Sequence, residues 1–141
     1  MKTLEHWLKE YGESHQHPTN KLIHWVCIPL ITFSVLGLLW SLHWGLTAAV
    51  IVMALLFYIR LSIKLAMTML TLAALMLATI SALQPIILPV SLGIFIIAWI
   101  FQFIGHHIEG KKPSFFKDLQ FLFIGPLWLL AFLFRQFRMR Y

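Results

Sequence analysis

The sequence predicts an all-α integral membrane protein: four transmembrane helices followed by a re-entrant or interfacial C-terminal helical hairpin. Three observations predict it. Of 141 residues, 60% are hydrophobic and only 11% charged, whereas soluble domains run near 45–50% apolar and about 25% charged. The apolar residues fall in runs close to the span length of about 20 residues at 1.5 Å each. The eleven Lys and Arg residues stand at the ends of those runs, as topology signals do.

The same distribution argues against nucleic acid, because the net charge of +6 is not gathered into a patch. The single cysteine, Cys27, excludes an intrachain disulfide and behaves as a small hydrophobe within its run. The first residues, Met1 to Trp7, are too polar for a cleaved signal peptide, so the later runs direct insertion themselves.

The chain reads as one domain, 1–141. Leu4, Trp7, Leu8 and Tyr11 recur at helical spacing with Lys2, Glu5, Lys9 and Glu10 on other faces. That pattern predicts a short amphipathic helix over 1–12, lying in the interface or packed as a cap on the rest. His17-Pro18 restarts the chain, since proline suits a first helical turn. The first span is expected at about 20–40, with a kink at Pro29. A turn holding Trp40, His43 and Trp44 marks a headgroup boundary. Spans at about 45–59, 65–83 and 86–104 follow.

Lys2, Lys9 and Lys21 precede the first span, Arg60 and Lys64 divide the second from the third, and Lys111, Lys112 and Lys117 follow the fourth. The turns at 41–45 and 82–85 carry no Lys or Arg. The positive-inside rule therefore puts the N-terminus, the 60–64 turn and the 105–118 segment in the cytoplasm, in a bacterial inner membrane or the endoplasmic reticulum. A fifth crossing by the run 115–134 would carry Arg135, Arg138 and Arg140 outside. That run, broken by Gly125-Pro126, is instead expected to return as a hairpin, with five spans the alternative.

This topology brings two polar clusters to one membrane face. The first holds His15, His17, Asn20 and His24; the second holds His106, His107 and Glu109. Only His6 and His43 of the seven histidines fall outside them. Imidazoles at a membrane boundary are costly unless paired or ligating. Asn20 and His24 are i, i+4 and share a helix face. His106 and Glu109 are i, i+3, a spacing that recurs in metal-binding bundles. Several imidazoles with few carboxylates suit iron, copper, zinc or nickel. Each residue also has a plainer reading. A histidine can be an interfacial anchor, Asn20 a cap, Glu109 a partner of Lys21, Lys111 or Lys112, and those lysines topology signals as well as candidates for a substrate carboxylate. Trp25 and Trp99 are expected to pack in the bundle. A serine hydrolase is unsupported, since Asp118 is the only aspartate and no serine occupies a Gly-flanked turn.

The residues Tyr11, His15, Pro18, Asn20, His24 and Pro29, then Trp99, Gln102, Gly105, His106, Glu109, Pro113 and Pro126, resemble the membrane dioxygenases of 2-hydroxy fatty acids, whose yeast member serves phytosphingosine breakdown to odd-chain acids. The resemblance implies an Fe(II)-dependent enzyme that shortens a 2-hydroxy fatty acid by one carbon with O2 (fatty acid α-oxidation). It implies His15, His24 and His106 at the metal, with His17 and His107 ranked below them, and Asn20 and Glu109 as catalytic residues. Lys21, Lys111 and Lys112 are the candidates for binding the acid. Two rivals within metal chemistry are a haem held by His24 and His106, and a di-iron lipid hydroxylase. A third, from another class, is a binding or transport protein without chemistry.

Overall fold

The computed structural model describes residues 1–110 and 115–141, with side chains for all of these except 115–120. Among the described residues there are helices and no strands. The order is α1 (Leu4–Glu13), α2 (Pro18–Leu42), α3 (Trp44–Leu61), α4 (Ile63–Ala82), a single 3₁₀ turn (Gln84–Ile86), α5 (Ile87–Glu109) and α6 (Phe115–Gln136). Four segments are long and apolar enough to cross a membrane: Pro18–Leu42, Trp44–Leu61, Ile63–Ala82 and Gln84–Glu109. Their outward residues, such as Leu56, Met67 and Ile97, are large, apolar and exposed, as a lipid-facing surface requires.

The joints are as short as a bundle allows. One residue, His43, separates α2 from α3 and caps α3 by accepting from the Gly45 N–H at 2.9 Å. Ser62 alone separates α3 from α4 and accepts from the Leu65 N–H at 3.3 Å. Each cap satisfies a donor that the helix start leaves orphaned.

α2 and α5 run antiparallel and make the closest helix pair, because small residues meet at both ends of it. A Cβ at Gly37 would collide with the Ser91 side chain, and one at Gly105 with Asn20 Oδ1. In lipid, where apolar contact alone gives little drive, such close approach is what holds helices together.

The last apolar run differs from expectation. It forms one helix, α6, with Pro126 inside it, rather than a hairpin opened at Gly125-Pro126. Proline removes one N–H and strains the preceding turn. The carbonyl that loses its helical donor is that of Leu122, and the helix runs on regardless; in the same turn the Tyr58 hydroxyl donates to the Phe123 carbonyl at 2.7 Å and ties α6 to α3. Among the described residues the apolar stretch of α6, Phe121–Gln136, is shorter than the four spans. α6 starts beyond the end of α5 and finishes beside Glu5 and Lys64. Arg135 Nη2 donates to Glu5 Oε2 at 3.2 Å, and Lys64 Nζ to the Arg140 carbonyl at 3.0 Å. The basic tail thus stays at the end of the bundle that carries α1 and the α3–α4 joint.

Of the two readings of α1, packing favours the cap. Its apolar face (Leu4 and Leu8) is buried with Leu127, Leu130 and Phe134 of α6, and with Tyr58 and Leu65 of α3 and α4. α6 is therefore clamped between α1 and the bundle, and the four-residue link 14–17 is drawn back over the start of α2.

Candidate metal centre

The site forms where that link crosses the α2–α5 pair. His15 is buried in the link, His24 lies on the second turn of α2 and His106 on the last turn of α5. Their rings are mutual neighbours, with centroids 4.1 Å (His15–His24), 5.4 Å (His24–His106) and 6.0 Å (His15–His106) apart. An ion bound through imidazole nitrogens at about 2.0–2.1 Å sets ring centroids roughly 5 Å apart, so these separations bracket the required one.

Two of the imidazoles have their tautomer fixed by a carbonyl, which can only accept. His15 Nδ1–H donates to the Tyr11 carbonyl at 2.6 Å, and His24 Nδ1–H to that of Asn20 at 2.9 Å. Nε2 is then the unprotonated nitrogen in each, the arrangement that ligating histidines adopt. His15 Nε2 is buried without a partner. Burial lowers the His15 imidazole from the ordinary histidine range to about 4, the largest effect on it, so it stays neutral at physiological pH. Tyr11 stacks on it with ring centroids 4.2 Å apart and planes within 5°.

Around the rings is a small cavity of about 40 Å³, lined by Tyr11, His15, His24, Trp99, Gln102 and His106 among others. That holds an ion or a water or so. Trp99 Nε1 and Gln102 Oε1, like His15 Nε2, are buried in the wall without a hydrogen-bond partner, and Asn20 Oδ1 is orphaned nearby. Each such atom costs about 1–3 kcal/mol if left so, and a ligand held here would satisfy them. Among the described residues no three His, Cys, Asp or Glu side chains are already closed around one point. The donor set nonetheless fits a metal by chemistry and proximity, with ring rotation needed to gather the nitrogens.

Glu109 takes a different place from the histidines. Its carboxylate accepts from the Gln16 and His17 N–H groups, both at 2.8 Å, and from Asn20 Nδ2 at 3.2 Å. A carboxylate at a helix C-terminus faces the wrong end of the helix dipole; three donors offset that. Asn20, fully buried, also donates to the Ser14 carbonyl at 3.3 Å. Together the two residues pin the His15 link to both spans.

The remaining candidates scatter. His17 is exposed and caps α2, its Nδ1 accepting from the Thr19 N–H at 3.2 Å. His107 is exposed on the outer face of α5. Lys21 is exposed and lines, with Lys9, Glu13, His15, Arg135 and apolar residues such as Trp128, a cavity of about 430 Å³ between α1 and α6. Lys111 and Lys112 lie outside the described residues. Sequence reasoning assigned no site role to Tyr11, Trp99 or Gln102. The signal was spacing: Tyr11 is four residues before His15, and Trp99 and Gln102 precede His106 by seven and four, on one helical stripe.

A family model described as 2-hydroxy-palmitic acid dioxygenase Mpo1-like matches residues 1–137. The chain belongs to the Mpo1-like family. Within that family it is 33% identical over 133 residues to the 2-hydroxy-palmitic acid dioxygenase MPO1 of Saccharomyces cerevisiae, covering 89% of this chain and 76% of the yeast protein. No solved structure matches it. The matched span takes in every element that builds the histidine cluster of this Mpo1-like chain, α1 through α6.

Proposed function

We propose that this protein is an Fe(II)-dependent dioxygenase that shortens 2-hydroxy fatty acids by one carbon, working where the bilayer meets the cytoplasm. One observation carries the reading. Three imidazoles from two remote segments lie within 4.1–6.0 Å of one another, two with their tautomers set by carbonyls. Membership of the Mpo1-like family, and the activity in the yeast relative's name, supply the substrate class.

His15, His24 and His106 hold the metal, each through a neutral nitrogen. Iron(II), when bound, supplies the redox chemistry that makes O2 reactive. Asn20 and Glu109 act by position, fixing the link that carries His15. Gln102 Oε1, buried in the cavity wall without a partner, accepts a hydrogen bond from the substrate hydroxyl. Lys21, in the cavity between α1 and α6 that His15 also lines, attracts the carboxylate. The tight walls around the rings exclude all but a few atoms of solvent. Lys2, Lys9, Lys21, Arg60, Lys64 and the tail arginines all belong to the end of the bundle that bears the histidines, which supports a cytoplasmic site.

The test is an anaerobic load with Fe(II), then admission of O2 and 2-hydroxypalmitate to the detergent-solubilised protein. The expected product is the fatty acid one carbon shorter, with His24→Ala at least about 100-fold slower, as losing a metal ligand or its support costs. Undiminished product from that variant, in folded protein, would remove His24 from the metal.

A further inference from the structure

Resting on that reading, we infer that the apolar chamber between α2, α3, α4 and α6 receives the substrate's acyl chain and sets its preferred length. The chamber holds about 290 Å³ and shares Ile28 and Leu122 with the histidine cavity. Those two side chains are the partition between a polar head-group site and a greasy interior. On the other side, the histidine cavity abuts, at His15, the cavity lined by Lys9, Lys21, Arg135 and Glu13, where cations outnumber the one carboxylate among the described residues. The three compartments run from charged to apolar in the order that an amphiphile with a carboxylate head would need.

The lining admits hydrocarbon and little else. Among the described residues, no charged side chain lines the chamber. Its two hydroxyls are spent on backbone carbonyls, Thr32 Oγ1 on Ile28 at 2.9 Å and Tyr58 on Phe123 at 2.7 Å. Neither has a hydrogen left to offer water, and apolar cavities of this kind stay dry or take apolar ligands. The chamber also has a floor. Leu36, Ile51 and Met76 line its far end and pack against the buried Ile80 behind them. From Trp25 beside the site to Leu36 at that floor, α2 rises about 16 Å at 1.5 Å per residue. An extended hydrocarbon advances roughly 1.2 Å per bond, as three backbone bonds do over about 3.5 Å. The space along α2 thus suits a chain of about thirteen carbons beyond the head, in the range of a long-chain fatty acid. Met76 and Ile51 at the floor, and Ala73 on the wall one turn short of it, are the length-determining positions.

Photolabelling with 2-hydroxypalmitate bearing a diazirine at its terminal carbon tests this without turnover. The expected label falls on Leu36, Ile51 or Met76 of the full protein in lipid nanodiscs, and survives excess phospholipid. A label on outward residues such as Ile96 or Ile97, no label above background, or one displaced by phospholipid would overturn the chamber. The last would mark it as a bilayer-lipid site. Two variants add an activity readout. Ala73→Phe should lower kcat/KM for 2-hydroxypalmitate relative to 2-hydroxydecanoate by about tenfold or more, and Met76→Ala should move the optimum to longer acids. Unchanged length preference in both would count against the floor. Wild-type protein that labels as expected but consumes no 2-hydroxy acid would sink the reaction and leave the chamber standing. The converse result would do the opposite.

Discussion

Glu109 shows how a residue can belong to a site without touching what it binds. As a carboxylate three residues from His106, it reads from the sequence as a catalytic group. In the fold its oxygens are occupied by the Gln16 and His17 N–H groups and by Asn20. On the proposed reading its work is to hold the link on which His15 rides. Hydrogen bonds to a charged group contribute about 1.5–3 kcal/mol when buried, and partial exposure here reduces that. Glu109→Ala should therefore cost about 1–2 kcal/mol of stability and weaken iron binding by about 10–100-fold, the usual effect of losing a ligand's support. Iron titration of the variant checks this. Native iron affinity with lost turnover would instead make Glu109 a reacting group.

At the scale of elements, the spans were legible because each is a long apolar run closed by Trp, Ser or a basic residue. The cap that α1 forms was half legible, since an amphipathic helix near a membrane suits either lipid or protein. What decided it was α6, whose buried face offers Leu127, Leu130 and Phe134 to Leu4 and Leu8. α6 itself was misread at Gly125-Pro126. Proline predicts a break only if nothing else holds the helix together, and here α6 is braced from outside by Tyr58, 68 residues upstream of Pro126, whose hydroxyl donates to the Phe123 carbonyl. No local pattern announces such a partner. Tyr58→Phe should leave the Phe123 carbonyl wanting and destabilise the protein by about 1–3 kcal/mol. Thermal unfolding in detergent measures it, and an unchanged midpoint would show that the kink needs no outside donor.

For the whole molecule, topology carried the argument further than any motif. Counting where basic residues fall was enough to send residues 15–24 and 106–109 to one face, and the fold brings His15, His24 and His106 together there. It was not enough to choose among histidines. His107 differs from His106 in which way α5 turns it, away from the α2 contact that Gly105 and Gly37 make possible, and His17 differs from His15 in being the extended cap of α2. Sidedness has its own check. A cysteine placed at Gln84, in a chain lacking Cys27, should react with an impermeant thiol reagent from outside intact cells, and one at Arg138 should not. The reverse pattern would turn the site outward.

The most direct measurement is the iron content of the purified protein after anaerobic Fe(II) loading and removal of loose metal, for the wild type beside His106→Ala. Two segments more than eighty residues apart in sequence must share one ion. The account predicts stoichiometric iron in the wild type and almost none in the variant, with both equally helical. Equal iron in the two, or none in either, would contradict it.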